Sequence, residues 1–254
     1  KTFYSQFGRG AIANGGGGGG MQNSGGGGGS NIGDTVGHTG KGIPQRNGPN
    51  SATQYDVAWN LEKPAMATTL SGGGGRGGYS YSTANQNPLT IGPNRSNWSG
   101  SGRKENGGYG GHALVYNPRK MFMGGGGGAG GQDSGQAGSG GHGGGIIHLT
   151  VYGTISGSGS IEANGGDGQK SNPTNQTTNL DNTRRGNDGA GGGGGGGFIT
   201  IKNSSTIPTT MTISARGGKG GDHDLITNWN APNPELCGPG GGGAGGGVSI
   251  ATGS

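Results

Sequence analysis

Five histidines are the residues best suited by type to acid–base or metal chemistry, but their spacing argues against both roles. They stand at positions 38, 112, 142, 148 and 223. None forms an i, i+4 pair or an HExxH motif, the arrangement that brings two imidazoles to one metal ion. No GxSxG elbow or phosphate-binding loop accompanies them, and the GxGxxG matches fall inside glycine runs without a following helix. The sequence therefore predicts a chain that is not an enzyme.

Aspartates beside glycine form a second group, and the chemistry they suit is calcium binding. Asp167 and Asp188 lie in the sequences GGDG and GNDG, and Asp222 and Asp224 flank a histidine. The glycine-rich calcium nonapeptide requires tandem copies of its motif, which this chain does not contain. Asp is also typical of turns, because it tolerates positive φ. The sequence favours turns without a cofactor, with calcium as the alternative at these four residues.

Aromatic residues within polar stretches form a third group, and they suit recognition of a partner. Large aromatic side chains offer a wide contact area at a low cost in conformational entropy. Their alternative role is to pack as lids over the ends of a glycine-rich body. The candidates are Trp59, Tyr79, Tyr81, Trp98, Tyr109 and Trp229.

The elements that must position these residues consist largely of glycine. The 254 residues include 73 glycines and 11 prolines, and only 25% are hydrophobic. This composition is typical of disordered, low-complexity chains. Collagen is excluded, because runs of five or more glycines break a Gly-X-Y register. If the chain is ordered, its glycine runs adopt the threefold extended helix of the polyproline II type, whose backbone groups bond to neighbouring segments.

We therefore predict a mostly irregular chain with short β-strands and almost no α-helix. Its glycine runs form a bundle or sandwich of polyglycine II helices, capped by β-strands, from which long loops project. The first two runs, Gly15–Gly20 and Gly25–Gly29, are joined by only four residues and predict an up-and-down pair.

A repeat organises the second half of the chain. Glycine arms end at Gly145, Gly197 and Gly247, which are spaced by 52 and 50 residues, and a β-prone run follows each arm. We predict one domain, 1–254, with an irregular part at 1–123, repeats at 124–188 and 189–237, and a truncated repeat at 238–254. The chain is expected to be a segment of a longer protein.

Charge and cysteine content narrow the expected partners. The net charge of +5 comes from dispersed basic residues, whereas nucleic-acid binding usually clusters them on one element. The single cysteine, Cys237, excludes an intrachain disulfide and a cysteine-based zinc cluster. No stretch approaches the roughly 20 apolar residues of a membrane span. We expect neither nucleic-acid binding nor membrane insertion.

Three motifs resemble a known family. They are ANGGGGGGMQNSGGGGGSN at 13–31, GSGSIEANGGDG at 157–168 and CGPGGGGAGGGVSI at 237–250. These resemble glycine-rich modules in large secreted surface proteins of the Bacteroidota, including gliding-motility and adhesin-like cargo of the type IX secretion system. The resemblance implies a secreted, cell-surface module with a structural or adhesive role. Its partners would be other segments of the same surface protein or filament, and a cell-surface protein or glycan.

The alternation of glycine-rich motifs with variable stretches is also similar to tail-fibre-tip adhesins of T-even-like phages. That family has polyglycine II sandwiches, and the similarity implies a virion protein whose loops bind a bacterial outer-membrane protein or glycan. The two hypotheses differ in geometry, because a phage tip requires its distal loops to cluster at one end.

Overall fold

The computed structural model of the chain describes its glycine arms and the strands that continue them. The described residues are 13–19, 24–32, 73–75, 77, 81–82, 107–114, 120–131, 137–171, 188–222, 235–236, 238 and 240–252.

Short β-strands are the regular elements of the described residues, which contain no helix. The predicted mostly non-helical chain with short strands is therefore confirmed for this part. The strands are β1 (Tyr81–Ser82), β2 (Ile146–Val151), β3 (Gly159–Glu162), β4 (Phe198–Asn203), β5 (Met211–Ser214), β6 (Glu235–Leu236) and β7 (Gly247–Thr252).

The strands form three small sheets. The largest has the order β2-β4-β7 with all strands parallel, β3 and β5 form a parallel pair, and β1 and β6 form an antiparallel pair. The repeat predicted from sequence thus appears as in-register pairing, with Ile146 opposite Phe198. The third copy is shifted by one residue, because Phe198 lies opposite Gly247 and this glycine belongs to the strand.

Glycine arms make up most of the remaining described chain, and backbone hydrogen bonds join them side by side, with N···O distances of 2.7 to 3.2 Å. We number the arms in chain order. They are arm 1 (13–19), arm 2 (24–31), arm 3 (73–75 and 77), arm 4 (107–112), arm 5 (124–131), arm 6 (137–145), arm 7 (163–171), arm 8 (188–197), arm 9 (215–222) and arm 10 (238 and 240–246).

Arm 8 is surrounded by other arms. Residues 189–197 are buried, and each of their backbone N–H groups donates to one of three neighbours in strict rotation. Its carbonyl oxygens accept from arms 2, 6 and 9. Buried peptide groups are therefore satisfied without a helix or a sheet. Arm 5 accepts from residues 189, 192 and 195, arm 10 from residues 190, 193 and 196, and arm 7 from residues 191, 194 and 197.

Arm 2 has a similar environment. It is buried, donates to arms 1, 3 and 8, and accepts from arms 4, 5 and 10. Arms 1 and 2 bond in antiparallel register, with Gly27 donating to Gly17 and Ser30 donating to Asn14. The first two glycine runs therefore point in opposite directions, as an up-and-down pair requires.

The arms alternate in direction along the chain, as the order of their hydrogen bonds shows. Odd-numbered arms run one way and even-numbered arms run the other way. Strands β2, β4 and β7 continue arms 6, 8 and 10 at one end, which we call the strand end. The stretches between arms 1 and 2, 3 and 4, 5 and 6, 7 and 8, and 9 and 10 start and finish at the opposite end, which we call the connection end.

A small side-chain core lies at the strand end. Ala163, Ile199 and Ile201 are buried at its centre. Residues from strands β2, β3 and β5 and from the turns beside them pack against this centre. These partly buried residues are Ile147, Leu149, Ile155, Ile161, Ile207, Ile213 and Ala215.

Candidate functional site

Two stretches of the chain meet at the connection end. Strand β1 lies between arms 3 and 4, strand β6 lies between arms 9 and 10, and the two strands pair with Tyr81 opposite Leu236 and Ser82 opposite Glu235. The backbone of the predicted recognition residue Tyr81 is therefore joined to a second inter-arm stretch. The other aromatic candidates Trp59, Tyr79, Trp98 and Trp229 lie outside the described residues.

Tyr109 belongs to the body of the molecule, since it lies within arm 4. Its carbonyl oxygen accepts a hydrogen bond of 2.8 Å from the Gly17 N–H, and the residue is half-buried. This position separates Tyr109 from strands β1 and β6, which lie beyond the ends of the arms. Neither of its two predicted roles, recognition of a partner or a lid over the end of the body, is tested by this backbone contact.

Two of the four aspartates predicted as calcium candidates contact the same lysine. Asp167 is exposed on arm 7, and its Oδ1 accepts a hydrogen bond of 2.7 Å from the Lys219 N–H. The carboxylate of Asp222 pairs with the ammonium group of the same lysine. Asp188 is buried, with 1% exposure, where arm 8 begins, and Asp224 lies outside the described residues.

Side chains at every third position follow the exposed sides of arms 7 and 9. Asn164 and Asp167 on arm 7 accept hydrogen bonds from the backbone N–H groups of Arg216 and Lys219 on arm 9, at 2.8 and 2.7 Å. Asn164 also accepts from the hydroxyl of Ser214 at 3.0 Å. These side chains therefore satisfy outward-facing peptide groups that no other arm reaches. Within the described residues, no three His, Cys, Asp or Glu side chains gather around a common metal position.

Sequence reasoning missed this ladder of side chains, although a signal existed. Asn164 and Asp167 are three residues apart, and each lies 52 residues before its partner. That distance matches the repeat spacing read from Gly145 and Gly197. A search for polar residues that repeat with the period of the arms would have found the pair.

Two asparagines near the strand end, one buried and one half-buried, also form hydrogen bonds with the backbone, but as donors. The Asn31 side chain is fully buried, and its Nδ2 donates to the carbonyl oxygens of Gly196 at 2.8 Å and Phe122 at 3.0 Å. Asn14 Nδ2 donates to the carbonyl oxygen of Met123 at 2.8 Å. Both side chains join the start of the chain to the segment before arm 5. Composition gave no means of separating these asparagines from the others in the chain.

A short hydrogen bond joins a histidine and a threonine on the outer face of the large sheet. His148 Nδ1 lies 2.5 Å from Thr200 Oγ1, and its Nε2 lies 3.5 Å from Thr150 Oγ1. A hydroxyl beside an imidazole can serve as a nucleophile with its base, but that chemistry also needs a third group that orients the base. Here the neighbour of the second ring nitrogen is another hydroxyl at a long distance. The arrangement is that of a cross-strand polar pair.

Comparison of the chain with protein families, with curated proteins and with solved structures finds no match. Among the described residues, no helix has the length and apolar character needed to cross a bilayer.

Proposed function

We propose that the ten arms are polyglycine II helices packed into one bundle. Two observations support this assignment. The hydrogen bonds join different arms and repeat every third residue, as a helix with three residues per turn requires. Burial on arm 6 follows the same period, with residues 138, 141 and 144 buried and residues 139, 142 and 145 exposed. At about 3.1 Å per residue, the ten residues of arm 8 would span about 30 Å.

The pattern of neighbours corresponds to three rows of arms. Arms 6, 5 and 1 form one outer row, arms 9, 10 and 3 form the other, and arms 7, 8, 2 and 4 form the middle row. In such a packing, arms 2 and 8 each have six neighbours, which agrees with their burial and with their full set of hydrogen bonds. Close packing of this kind needs residues without a Cβ, and this explains the glycine content.

The function that this geometry supports best is that of a non-catalytic, extracellular adhesive module. The single observation that carries the proposal is the alternation of arm direction, which brings five inter-arm stretches to the connection end. A rigid body that displays several chain stretches at one end is a common arrangement for binding. The stretches at 78–106, 172–187 and 223–234 start and finish at this end, and their sequences contain polar and aromatic residues, including Trp98 and Trp229.

We propose two settings for such a module. In the first, it is part of a bacterial cell-surface protein, in agreement with the resemblance to secreted proteins of the Bacteroidota. In the second, it is the receptor-binding tip of a phage tail fibre. The second setting needs its variable stretches on the side that faces the host, and five inter-arm stretches start and finish at the connection end. Both settings share recognition of a cell-surface protein or glycan by the connection end, and in the second setting this partner belongs to the bacterial outer membrane.

Matched tryptophan substitutions test the proposal. Trp98 and Trp229 belong to stretches that start and finish at the connection end, whereas Trp59 belongs to the stretch between arms 2 and 3, which starts and finishes at the strand end. Fluorescently labelled protein is applied to a panel of intact Gram-negative cells, and retention is measured by flow cytometry. We expect Trp98→Ala and Trp229→Ala to reduce retention about tenfold and Trp59→Ala to leave it within about twofold.

Two further outcomes bear on the proposal. Failure of the wild-type protein to bind any cell of the panel, or an equal loss with Trp59→Ala, would count against recognition by the connection end. Protease treatment of the cells separates a protein receptor from a glycan. Electron microscopy of the source material then distinguishes the two settings. The first predicts a bead within a cell-attached filament, and the second predicts a cap on a virion fibre.

A further inference from the structure

The outer face of the large sheet carries four polar side chains, which we call the outer patch. Aliphatic residues of β2 and β4 pack against the core on the inner face, whereas His148, Thr150 and Lys202 are exposed and Thr200 is half-buried. In the register of the sheet, His148 lies opposite Thr200, and Thr150 lies opposite Lys202. Paired strands lie about 4.8 Å apart, and alternate residues of one parallel strand are about 6.6 Å apart. The four side chains are therefore within reach of one small ligand.

The outer patch contains a cation without a carboxylate to balance it. Strands β2, β4 and β7 include no aspartate and no glutamate. Within the part of the chain that the structure describes, no carboxylate pairs with Lys202, whereas the ammonium group of Lys219 on arm 9 pairs with Asp222. The ammonium group of Lys202 is therefore open to an anionic group from another molecule.

An exposed aromatic residue adjoins the outer patch. Tyr152 follows β2 by one residue, at the next alternate position after His148 and Thr150. Its exposure is 93%, the highest among the exposed large hydrophobic residues that the structure describes. A tyrosine ring has an apolar surface and a polar hydroxyl, and both are typical of binding surfaces. The ring of Tyr152 thus adds an apolar surface beside the hydroxyls and the ammonium group.

We propose that the outer patch and Tyr152 bind an acidic saccharide, one that carries carboxylate groups. The ammonium group of Lys202 pairs with a carboxylate, which is the stronger, charge-assisted type of hydrogen bond. The hydroxyls of Thr150 and Thr200 bond to sugar hydroxyls, and the ring of Tyr152 packs against the C–H groups of a sugar ring.

Other classes of ligand fit this surface less well. Nucleic acid is usually bound by many clustered basic residues, and β2, β4 and β7 together contain one lysine and one histidine. A peptide strand binds to a free sheet edge, whereas the outer patch lies on the face of two paired strands. A saccharide presents hydroxyls beside apolar C–H groups, which matches threonine hydroxyls beside an aromatic ring.

This site is separate from the recognition proposed at the connection end, because β2 and β4 lie at the strand end. The chain would thus have two binding surfaces at opposite ends of its glycine arms. The two proposals can fail independently, because they concern different residues and are tested with different probes.

Titration calorimetry of the full chain with an oligogalacturonate tests the proposal. We expect saturable binding to wild type, and about tenfold weaker binding to Lys202→Gln and to Tyr152→Ala. The fully methyl-esterified oligosaccharide has the same sugar rings without the negative charges, so it should also bind about tenfold more weakly. The matched control is Lys219→Gln, which removes the same charge from an exposed lysine on arm 9. It should bind within about twofold of wild type.

Three outcomes would overturn the proposal. They are the absence of saturable binding to wild type, equal affinity for the acid and its methyl ester, and an equal loss in Lys202→Gln and Lys219→Gln. Unchanged affinity of Tyr152→Ala would also overturn it, because the ring would then have no part in the site. Unfolding midpoints of all variants confirm that each folds before binding is compared.

Discussion

Arm 8 and strand β4 are consecutive in the chain and both buried, but different forces hold them. Along arm 8, peptide groups meet six neighbouring arms, and the missing Cβ atoms allow that approach. In strand β4, side-chain packing replaces these close backbone contacts. Ile199 and Ile201 are buried among other aliphatic residues. The same chain thus changes within one residue from backbone packing to side-chain packing.

The comparison teaches that burial does not require hydrophobic residues. The glycine body satisfies its peptide groups by hydrogen bonds between arms, whereas the core at the strand end gains from removing aliphatic surface from water. Opposite kinds of substitution should therefore destabilise the two regions. Larger residues should destabilise the arms, and smaller residues should destabilise the core.

The largest expected effect is the addition of one methyl group within arm 8. A Cβ at Gly194 would overlap the carbonyl oxygen of His142, which belongs to a hydrogen-bonded neighbouring arm. Backbone cannot move aside as a flexible side chain can, so we expect Gly194→Ala to cost more than about 4 kcal/mol or to prevent folding. Urea unfolding followed by circular dichroism measures the change.

The control for this substitution is Gly126→Ala on the exposed side of arm 5. A Cβ there would stand 3.6 Å from the nearest atom, the Gly141 carbonyl oxygen, which is an ordinary contact. We expect a change within about 1 kcal/mol, with a gain from the stiffer unfolded chain. Equal destabilisation by both substitutions would contradict the close packing of arm 8.

Removing atoms from the core should give the next largest effect. Ile199→Ala leaves a cavity at a fully buried position and should cost about 2–5 kcal/mol in free energy of unfolding. Ile250→Ala on the neighbouring strand, at 46% exposure, should cost less than about 1 kcal/mol. Thermal and urea unfolding measure both. Similar losses would show that the inner face of β7 is covered to the same degree as that of β4.

The smallest expected loss of stability follows from removing a side chain that donates hydrogen bonds to backbone carbonyl groups. Asn31→Ala removes both Nδ2 hydrogen bonds and leaves the buried Gly196 carbonyl oxygen without this donor. We expect a cost of about 1–3 kcal/mol. Asn14→Ala, at a less buried position, should cost about 1 kcal/mol. A larger loss for Asn14→Ala, in the same unfolding experiment, would contradict the role assigned to Asn31.

The strands after the glycine arms were the part of the fold that could be predicted from sequence. β-Prone runs follow Gly145 and Gly197 at a spacing of 52, and strands β2 and β4 lie in these runs, with Ile146 opposite Phe198. The one-residue shift at Gly247 was not predicted, because a glycine at the end of a run can belong equally to an arm or to a strand.

The neighbours of each arm could not be predicted, for a physical reason. Register between strands is normally specified by side chains that alternate between faces, and glycine has none. Nothing in the sequence therefore indicates that Gly26 donates to Ala190, 164 residues away. The contacts of Asp167 were also missed, because its peptide-group partner belongs to an arm whose position was unknown. The aromatic candidates beyond Tyr81 and Tyr109 stay predictions.

The bonds between arm 2 and arm 10 have a consequence for the order in which the protein folds. Gly241 and Ala244 donate to the carbonyl oxygens of Gly26 and Gly29, although more than 200 residues separate these partners. During synthesis on the ribosome, arm 2 would emerge long before arm 10. The carbonyl groups of arm 2 that bond to arm 10 would lack these partners until arm 10 is synthesised. Such distant closure is slow, and the waiting segments are exposed to misassembly. Refolding should therefore have a late, concerted step in which the peptide groups of arms 2 and 10 become protected together.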